Sequence, residues 1–177
     1  MKFSLIPRYA FRDFSDISPD FLRKLGVRFL MLDLDNTIAS YREHSPAGSI
    51  KKWVADMRAN GIELYFVSNS TRRIRVDTFA QALDIRFIKG ARKPSTKGLL
   101  QAMEQAGFSA NMSAFLGDQI FTDTLAANLA SVTSIIVKPR SIKNPFFFLR
   151  YIAEAPFRAV CLRRMTNSGV LKRCVNE

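Results

Sequence analysis

The chain has 177 residues, of which 47% are hydrophobic, and its formal net charge at pH 7 is +12. This size supports one domain with a sizeable core, and no apolar run reaches the roughly 18 residues of a membrane-spanning helix. The first residues lack the apolar stretch of a secretion signal, and two cysteines, Cys161 and Cys174, are too few for a secreted disulfide scaffold. We therefore expect a cytoplasmic protein with anionic partners such as phosphates, nucleic acid or anionic lipid surfaces.

Five short apolar runs recur along the chain, with helical patterns between them. The runs are Val27–Asp33, Ile62–Ser68, Ile85–Lys89, Met112–Gly117 and Thr133–Lys138. Their continuous apolar character is typical of strands that are covered on both faces, as in a parallel sheet between helices. The helical patterns cover Ser49–Asn60, Thr71–Leu83 and Thr96–Ala106, and Gly61 and Gly107 are placed to end the first and third. The alternation predicts an open α/β sheet.

Polar residues suited to phosphate chemistry follow four of the predicted strands. They are Asp33 and Asp35 after the first, Ser68 and Asn69 after the second, Lys93 after the third and Asp118 after the fourth. Ligands of open α/β sheets bind beyond the carboxyl ends of the strands. We therefore expect these side chains to converge on one site.

The three acids predict a metal site and a nucleophile. Asp33 and Asp35 stand only two residues apart at the end of a buried run, where like charges repel and unpaired charges are costly. Mg²⁺, which prefers oxygen ligands, would turn this repulsion into shared coordination together with Asp118. An aspartate beside a metal can attack phosphorus and form an aspartyl-phosphate, and a second acid can move the protons.

The other three residues are suited to binding a phosphoryl group. The Ser68 hydroxyl and the backbone N–H of Asn69 can hold phosphoryl oxygens, and Lys93 can neutralise charge during transfer. Each motif alone has a simpler alternative: Asp33–Asn36 can be a turn, the serines from Ser68 onward an N-cap cluster, and Lys93 a solvated loop residue. Their occurrence at successive strand ends favours the catalytic interpretation.

The four motifs together resemble those of the haloacid dehalogenase (HAD) superfamily. They are Asp33-Leu34-Asp35-Asn36-Thr37, Ser68-Asn69, Lys93-Pro94 and Gly117-Asp118-Gln119-Ile120-Phe121-Thr122-Asp123. The resemblance implies a Rossmann-like three-layer α/β/α sandwich with a mainly parallel five-stranded sheet. It covers roughly residues 5–140 and extends to a subfamily of small phosphatases that includes phosphatidylglycerophosphate phosphatases.

The same resemblance implies a role for each matching residue. Asp33 would be the nucleophile and Asp35 the general acid/base, as in phosphatases rather than dehalogenases. Mg²⁺ would be held by the Asp33 carboxylate, the main-chain carbonyl of Asp35 and Asp118. Lys93, with Ser68 and Asn69, would bind the phosphoryl group, and Asp123 would support the metal site or Lys93.

The short separations between motifs leave no room for a large cap domain. Asp33 and Ser68 are 35 residues apart, and Ser68 and Lys93 are 25 apart, lengths already used by a helix and a strand. We expect a capless enzyme with a short flap at residues 40–48, whose open site could admit a phosphate on a lipid, a protein or a nucleic-acid end. His44 lies in this flap, where exposure to solvent is favoured over a substrate contact.

We divide the chain into a phosphatase core at residues 1–140, with a lead-in at 1–26, and a basic, aromatic extension at 141–177. From Lys138 to the end there are nine basic and two acidic residues. The extension either packs on the core or lies on an anionic membrane surface, and Pro145 and Pro156 are expected to break it into short helices. No recognisable nucleic-acid-binding motif accompanies the charge.

Three functions follow from these patterns. The leading one is Mg²⁺-dependent hydrolysis of a phosphomonoester. The resemblance implies phosphatidylglycerophosphate as its leading substrate, and the enzyme would then lie in the cytoplasm or peripherally on the inner face of a membrane. The alternative keeps the chemistry but takes a soluble nucleotide or sugar phosphate. A further alternative is a basic RNA- or ribosome-associated binding protein that retains a phosphatase site.

Overall fold

The computed structural model describes residues 3–70, 73–142 and 145–167. Within these ranges, six strands and six α-helices follow one another. The strands are β1 (Tyr9–Phe11), β2 (Phe29–Leu32), β3 (Glu63–Val67), β4 (Arg86–Ile88), β5 (Ser113–Gly117) and β6 (Thr133–Val137). The helices are α1 (Pro19–Lys24), α2 (Gly48–Ala59), α3 (Arg73–Leu83), α4 (Lys97–Ala106), α5 (Leu125–Leu129) and α6 (Pro145–Asn167). A π-helical turn at Ile120–Thr124 leads into α5.

The strands form one sheet in the order β1-β6-β5-β2-β3-β4, and every pair is parallel. The five predicted strands are confirmed, but the predicted number is wrong because β1 adds a sixth at the edge, with Tyr9 paired to Ile135. Three residues are too few to show a periodic pattern. Their partner strand lies more than 120 residues later in the sequence, so no local signal marks β1.

Helices cover both faces of the sheet, as a Rossmann-like sandwich requires. Because side chains alternate along a strand, Leu30 and Leu32 of β2 pack in one buried cluster with side chains of α2, α3 and α6. Phe29 and Met31 pack in a second cluster with side chains of α4 and α5. The predicted three-layer α/β/α architecture without a large cap is therefore confirmed.

The predicted helix patterns correspond to α2, α3 and α4. The apolar face of α2 buries Ile50, Trp53, Val54 and Met57. After its last turn Gly61 has φ of +75°, a left-handed conformation that glycine adopts at little cost. Gly107 ends α4 with φ of +74° in the same way.

The extension does not break into short helices as expected, because α6 runs unbroken from Pro145 to Asn167. Pro145 is the first residue of the helix, where the N–H that proline lacks would have no intrahelical partner. Pro156 lies inside the helix and removes one hydrogen bond to the carbonyl of Ile152. Pro156 and Ile152 are both exposed to solvent, so water can satisfy the Ile152 carbonyl. Residues 168–177 of the predicted extension, including Cys174, lie outside the described ranges.

In the described part of the chain, no helix combines the length and the apolar character that crossing a membrane requires.

Candidate active site

The predicted site residues converge at the point where the strand order of the sheet reverses. From β2 the chain adds β3 and β4 on one side and then β5 and β6 on the other, beyond which the earlier strand β1 forms the edge. Open α/β sheets bind ligands at such a switch point, beyond the carboxyl ends of the strands. Asp33 follows β2 directly, and its backbone N–H donates to the Leu116 carbonyl of β5 at 2.8 Å. Asp33 therefore stands at the centre of the sheet edge.

Lys93 is buried between two carboxylates. Its Nζ lies 2.7 Å from Oδ1 of Asp33 and 2.8 Å from Oδ1 of Asp123, and its side chain is only 2% exposed. Burial disfavours the ammonium form, but the adjacent Asp123 and Asp33 carboxylates outweigh this effect and raise the pKa of Lys93. The residue therefore carries a fixed positive charge within reach of Asp33.

Asp123 holds the loop that carries Asp118. Its Oδ2 accepts hydrogen bonds from the backbone N–H of Asp118 at 3.2 Å and of Gln119 at 3.0 Å. This approach requires glycine at the end of β5, because a Cβ at Gly117 would overlap the Asp123 side chain. The Gly117-Asp118 motif is thus explained by packing as well as by chemistry.

Asp118 is fully buried and is positioned by donors from the loop after β2. Its two carboxylate oxygens accept from Oγ1 of Thr37 at 3.3 Å and from Nδ2 of Asn36 at 3.4 Å. Asn36 has φ of +67°, a conformation that asparagine tolerates better than most residues. Its side-chain Oδ1 also accepts from the backbone N–H of Ser141 at 2.7 Å, so Asn36 links Asp118 to the segment before α6.

Three carboxylates form a cluster that can hold a divalent cation. One oxygen from each of Asp33, Asp118 and Asp123 lies within 4.8 Å of the others, and all three residues are buried. Burial raises the pKa of Asp33 to about 7, although Lys93 opposes the shift. Burial, together with the Asp123 and Asp33 carboxylates, raises the pKa of Asp118 well above its usual range. A cation would relieve this repulsion, and the all-oxygen donor set fits the predicted Mg²⁺ cofactor.

The loop after β3 supplies Ser68 and Asn69. Ser68 is buried, and its Oγ accepts from the backbone N–H of Ser70 at 3.1 Å. The Asn69 side chain makes two hydrogen bonds with the backbone of Lys93, a donated one of 3.0 Å and an accepted one of 2.7 Å. Asn69 therefore orders the loop that carries Lys93, a contact that the sequence did not reveal.

Arg75, near the start of α3, connects Asp35 to the flap. Its Nε donates to Oδ1 of Asp35 at 2.8 Å, and its terminal nitrogens donate to the backbone carbonyls of Ser40, Tyr41 and Glu43. One guanidinium thus fixes the predicted acid/base side chain and the first half of the predicted flap at residues 40–48.

The predicted residues surround one open pocket of about 530 Å³. Six of the seven line it, and the seventh, Asp118, lies buried beneath it. The lining consists of Asp33, Asp35, Tyr41, Ser68, Asn69, Ser70, Arg75, Lys93, Gln119, Thr122, Asp123 and Phe147. Among the described residues of this lining, His44 does not occur, and its side chain is exposed.

Two aromatic rings form the wall of the pocket that faces α6. Tyr41 of the flap and Phe147 of α6 stack with ring centroids 5.9 Å apart and ring planes 3° from parallel. Burial, followed by the effect of the Asp118, Asp35 and Asp33 carboxylates, raises the pKa of Tyr41 to about 12. The phenol therefore stays neutral at physiological pH.

The buried side of α6 contacts the loop after β5, which carries Asp118. Glu154 is 1% exposed and accepts from the backbone N–H groups of Ile120 at 2.8 Å and Phe121 at 3.2 Å. Arg158 pairs with Glu154 at 3.1 Å and donates to the backbone carbonyls of Asp118 and Val137. Two charged residues outside the four motifs thus position the loop that carries Asp118.

The sequence did not identify Arg75, Tyr41, Phe147, Glu154 or Arg158 as site residues. The spacing of Glu154 and Arg158 by four residues is typical of a helical ion pair. It could have suggested that these charges face one side of α6. The other three lie in no motif, and only the folded positions of the flap, α3 and α6 bring them to the pocket.

Comparisons with known proteins show the family to which the chain belongs. Residues 10–131 match the family model of the haloacid dehalogenase-like hydrolases. The chain is 30% identical over 146 residues to the probable phosphatase YqeG of Bacillus subtilis, a match that covers 82% of this chain and 84% of the relative.

Solved structures share the fold at low identity. One is the cobalt-bound deoxy-D-mannose-octulosonate 8-phosphate phosphatase of Haemophilus influenzae, with 17% identity, a TM-score of 0.52 and coverage of 66% of this chain and 81% of that one. Another is a putative 3-deoxy-D-manno-octulosonate 8-phosphate phosphatase of Vibrio cholerae, with 14% identity, a TM-score of 0.52 and coverage of 73% and 75%.

Proposed function

Because the chain belongs to the haloacid dehalogenase-like hydrolases and is a phosphatase, we propose that it hydrolyses phosphomonoesters through an aspartyl-phosphate on Asp33. The observation that carries this assignment is the arrangement around Asp33. This carboxylate stands at the switch point of the sheet, 2.7 Å from the Lys93 ammonium and within 4.8 Å of the Asp118 and Asp123 carboxylates.

In the first step, a carboxylate oxygen of Asp33 attacks the phosphorus atom, and the bond to the leaving-group oxygen breaks. Asp35 gives a proton to that oxygen. In the second step Asp35 takes a proton from water, whose oxygen attacks the phosphorus of the aspartyl-phosphate. The P–O bond to Asp33 then breaks, and inorganic phosphate leaves.

The other site residues bind and neutralise the phosphoryl group. Lys93 supplies positive charge where negative charge accumulates, and the Ser68 hydroxyl and the backbone N–H of Asn69 donate to phosphoryl oxygens. Asp33, Asp118 and the main-chain carbonyl of Asp35 would hold Mg²⁺, which supplies further charge neutralisation and orients the phosphate when bound. Asp123 positions Lys93 and the Asp118 loop.

Phosphatidylglycerophosphate is the leading candidate substrate. The resemblance to a subfamily that includes phosphatidylglycerophosphate phosphatases supports it, as does an open pocket with Tyr41 and Phe147 at its wall. Aromatic rings can accommodate the glycerol and acyl end of such a substrate. On this proposal the enzyme works in the cytoplasm and contacts the inner face of a membrane through its C-terminal segment.

A soluble sugar phosphate or nucleotide is the second candidate. It is favoured by the names of two structural neighbours, which are phosphatases of a phosphorylated sugar acid, although their identity of 14–17% to this chain supports only the fold. A binding protein without turnover is disfavoured, because the side chains that the proposed mechanism uses are all present and lie in or directly beneath one pocket.

A phosphatase assay tests the proposal. The full chain is expected to hydrolyse an aryl phosphate with Mg²⁺ and to lose this activity with a chelator. Asp33→Asn, a nearly isosteric change, is expected to abolish turnover while the fold survives. Full activity in Asp33→Asn would overturn the assignment, and salt-sensitive RNA binding without hydrolysis would favour the binding protein. Rates on phosphatidylglycerophosphate in mixed micelles and on soluble sugar phosphates then separate the two substrate classes.

A further inference from the structure

As far as Leu162, helix α6 exposes apolar side chains to solvent and keeps its charged side chains buried or half-buried. Between Pro145 and Leu162, every exposed side chain is apolar. The largest are Phe146, Phe148, Leu149, Ile152, Val160 and Leu162, with exposed fractions of 40–70%. We call this surface the outer face of α6.

The charged residues of the same stretch point the other way. Glu154 is buried, and Arg150 and Arg158 are partly buried against the loops at the active site. A surface helix of a soluble protein normally shows the reverse pattern. Six large exposed apolar side chains on one helix also exceed the scattered exposed leucines of an ordinary surface. The outer face is therefore built to be covered.

Basic residues follow the outer face along the helix, and others precede α6 in the sequence. Arg163 and Arg164 follow it along the helix and are exposed. Lys138 precedes the helix and, with Arg12 and Arg140, lines a second pocket of about 460 Å³ outside the flap, which Asp13 and Glu43 also line. An apolar strip that continues into exposed arginines matches a bilayer interface, where acyl chains lie beneath anionic headgroups.

The outer face is continuous with the active-site pocket. Phe146 and Phe148 are exposed on it, and Phe147 between them lines the pocket and stacks on Tyr41. A surface that covers the outer face would therefore lie beside the pocket mouth. A phosphate on a headgroup at that surface would have a short path to Asp33.

We propose that the outer face of α6 docks on an anionic phospholipid bilayer and turns the pocket mouth toward the lipid surface. The docking itself does not depend on the proposed function; only the role of the pocket as a phosphatase site at the lipid surface rests on it. Charge argues against a second copy of the chain as the occupant, because two chains of net charge +12 would bring their basic flanks together. An anionic bilayer instead complements these flanks.

Vesicle co-sedimentation of the full chain tests the docking. We expect binding to vesicles that contain phosphatidylglycerol, little binding to pure phosphatidylcholine, and weaker binding as salt is raised. The triple variant Leu149→Ser, Ile152→Ser, Val160→Ser is expected to lower the bound-to-free ratio by at least about tenfold. Its matched control is Leu100→Ser with Met112→Ser, which removes exposed apolar side chains elsewhere.

A charge-reversal pair tests the basic flank. Arg163→Glu with Arg164→Glu should weaken binding to anionic vesicles, whereas Lys51→Glu with Lys52→Glu, exposed on α2, should weaken it much less. None of these residues touches the pocket, so hydrolysis of an aryl phosphate without vesicles reports separately on fold and function.

If the variants still hydrolyse an aryl phosphate, three outcomes would overturn the docking proposal. They are wild-type vesicle binding by the triple variant, equal effects of both charge-reversal pairs, and a dimer by light scattering that the triple variant dissolves. The last outcome would assign the outer face to a second copy. Loss of aryl phosphatase activity in the wild-type chain would instead count against the proposed function alone.

Discussion

Asp35 is held by Arg75, whose Nε lies 2.8 Å from Oδ1 of the carboxylate. Both side chains are largely buried, with 14% of Arg75 and 16% of Asp35 exposed. Because the same guanidinium also binds three flap carbonyls, the orientation of the acid/base residue and the position of the flap depend on one residue. A capless enzyme can in this way order the wall of its pocket without a cap domain.

Replacement of Arg75 tests this dependence. Arg75→Ala is expected to lower kcat/KM for an aryl phosphate by about tenfold to a hundredfold, the effect of losing one or two charge-assisted hydrogen bonds. It should also raise the rate of proteolytic cleavage in residues 40–48. Arg75→Lys keeps the charge but not the fork of donors, so an intermediate rate is expected. The control is Arg86→Ala, which removes an exposed ion pair with Glu63; equal effects at both sites would contradict the role of Arg75.

Lys93 is expected to stabilise the fold as well as the reaction. Lys93→Met keeps the aliphatic volume but leaves the Asp33 and Asp123 carboxylates without their buried partner. We expect the free energy of unfolding in chelator to fall by about 3–5 kcal/mol, and Mg²⁺ to recover part of the loss. Urea denaturation with and without Mg²⁺ measures both effects. Lys97→Met, at an exposed position, is the control, and a loss no greater than the control's would refute the prediction.

Gly117 is expected to tolerate no side chain. A Cβ at this position overlaps Asp123, so Gly117→Ala should cost about 1–3 kcal/mol of stability through overpacking. It should also lower activity, because Asp123 would move away from Lys93. Gly48→Ala at the start of α2 is the matched control, since no atom lies within 4 Å of its added Cβ. Thermal melts and aryl phosphatase rates are measured for both variants. Equal stability and activity of Gly117→Ala and Gly48→Ala would contradict the prediction.

Cys161 reports whether α6 lies on the sheet. The thiol is fully buried, and burial raises its pKa to about 11. Below that pH the thiol stays protonated, and only the thiolate reacts. In a Cys174→Ser background, alkylation at pH 8 should be at least about a hundredfold slower in native protein than in denaturant. The control is Thr166→Cys, at an exposed position, in a chain that lacks Cys161 and Cys174. Similar alkylation rates for the Cys161 thiol and the control thiol would show that α6 does not cover Cys161.

The sequence predicts the parts of the structure that depend on local patterns. The five central strands have continuous apolar runs, and α2 shows its buried face in the spacing of Ile50, Trp53, Val54 and Met57. The convergence of the motif residues also follows, because parallel strands bring their carboxyl ends to one edge.

What the sequence does not predict depends on contacts between distant segments. Strand β1 is defined by its pairing with β6 and not by its own three residues. Helix α6 continues through Pro156 at an exposed position, and the sequence alone does not show on which side of the helix this proline lies. Arg75 becomes part of the site only because α3 faces the flap, and the chain between them contains no motif that marks the contact.

Acid-quench trapping of the covalent intermediate directly identifies the nucleophile. The full chain and an Asp35→Asn variant are mixed with an aryl phosphate and Mg²⁺ and quenched within milliseconds, and their peptides are mapped by mass spectrometry. We expect one added phosphoryl group on Asp33, with more of it in Asp35→Asn because hydrolysis of the intermediate lacks its base. A phosphoryl group on another residue, or product formation with no phosphorylated protein at any quench time, would contradict the assignment of Asp33 as the nucleophile.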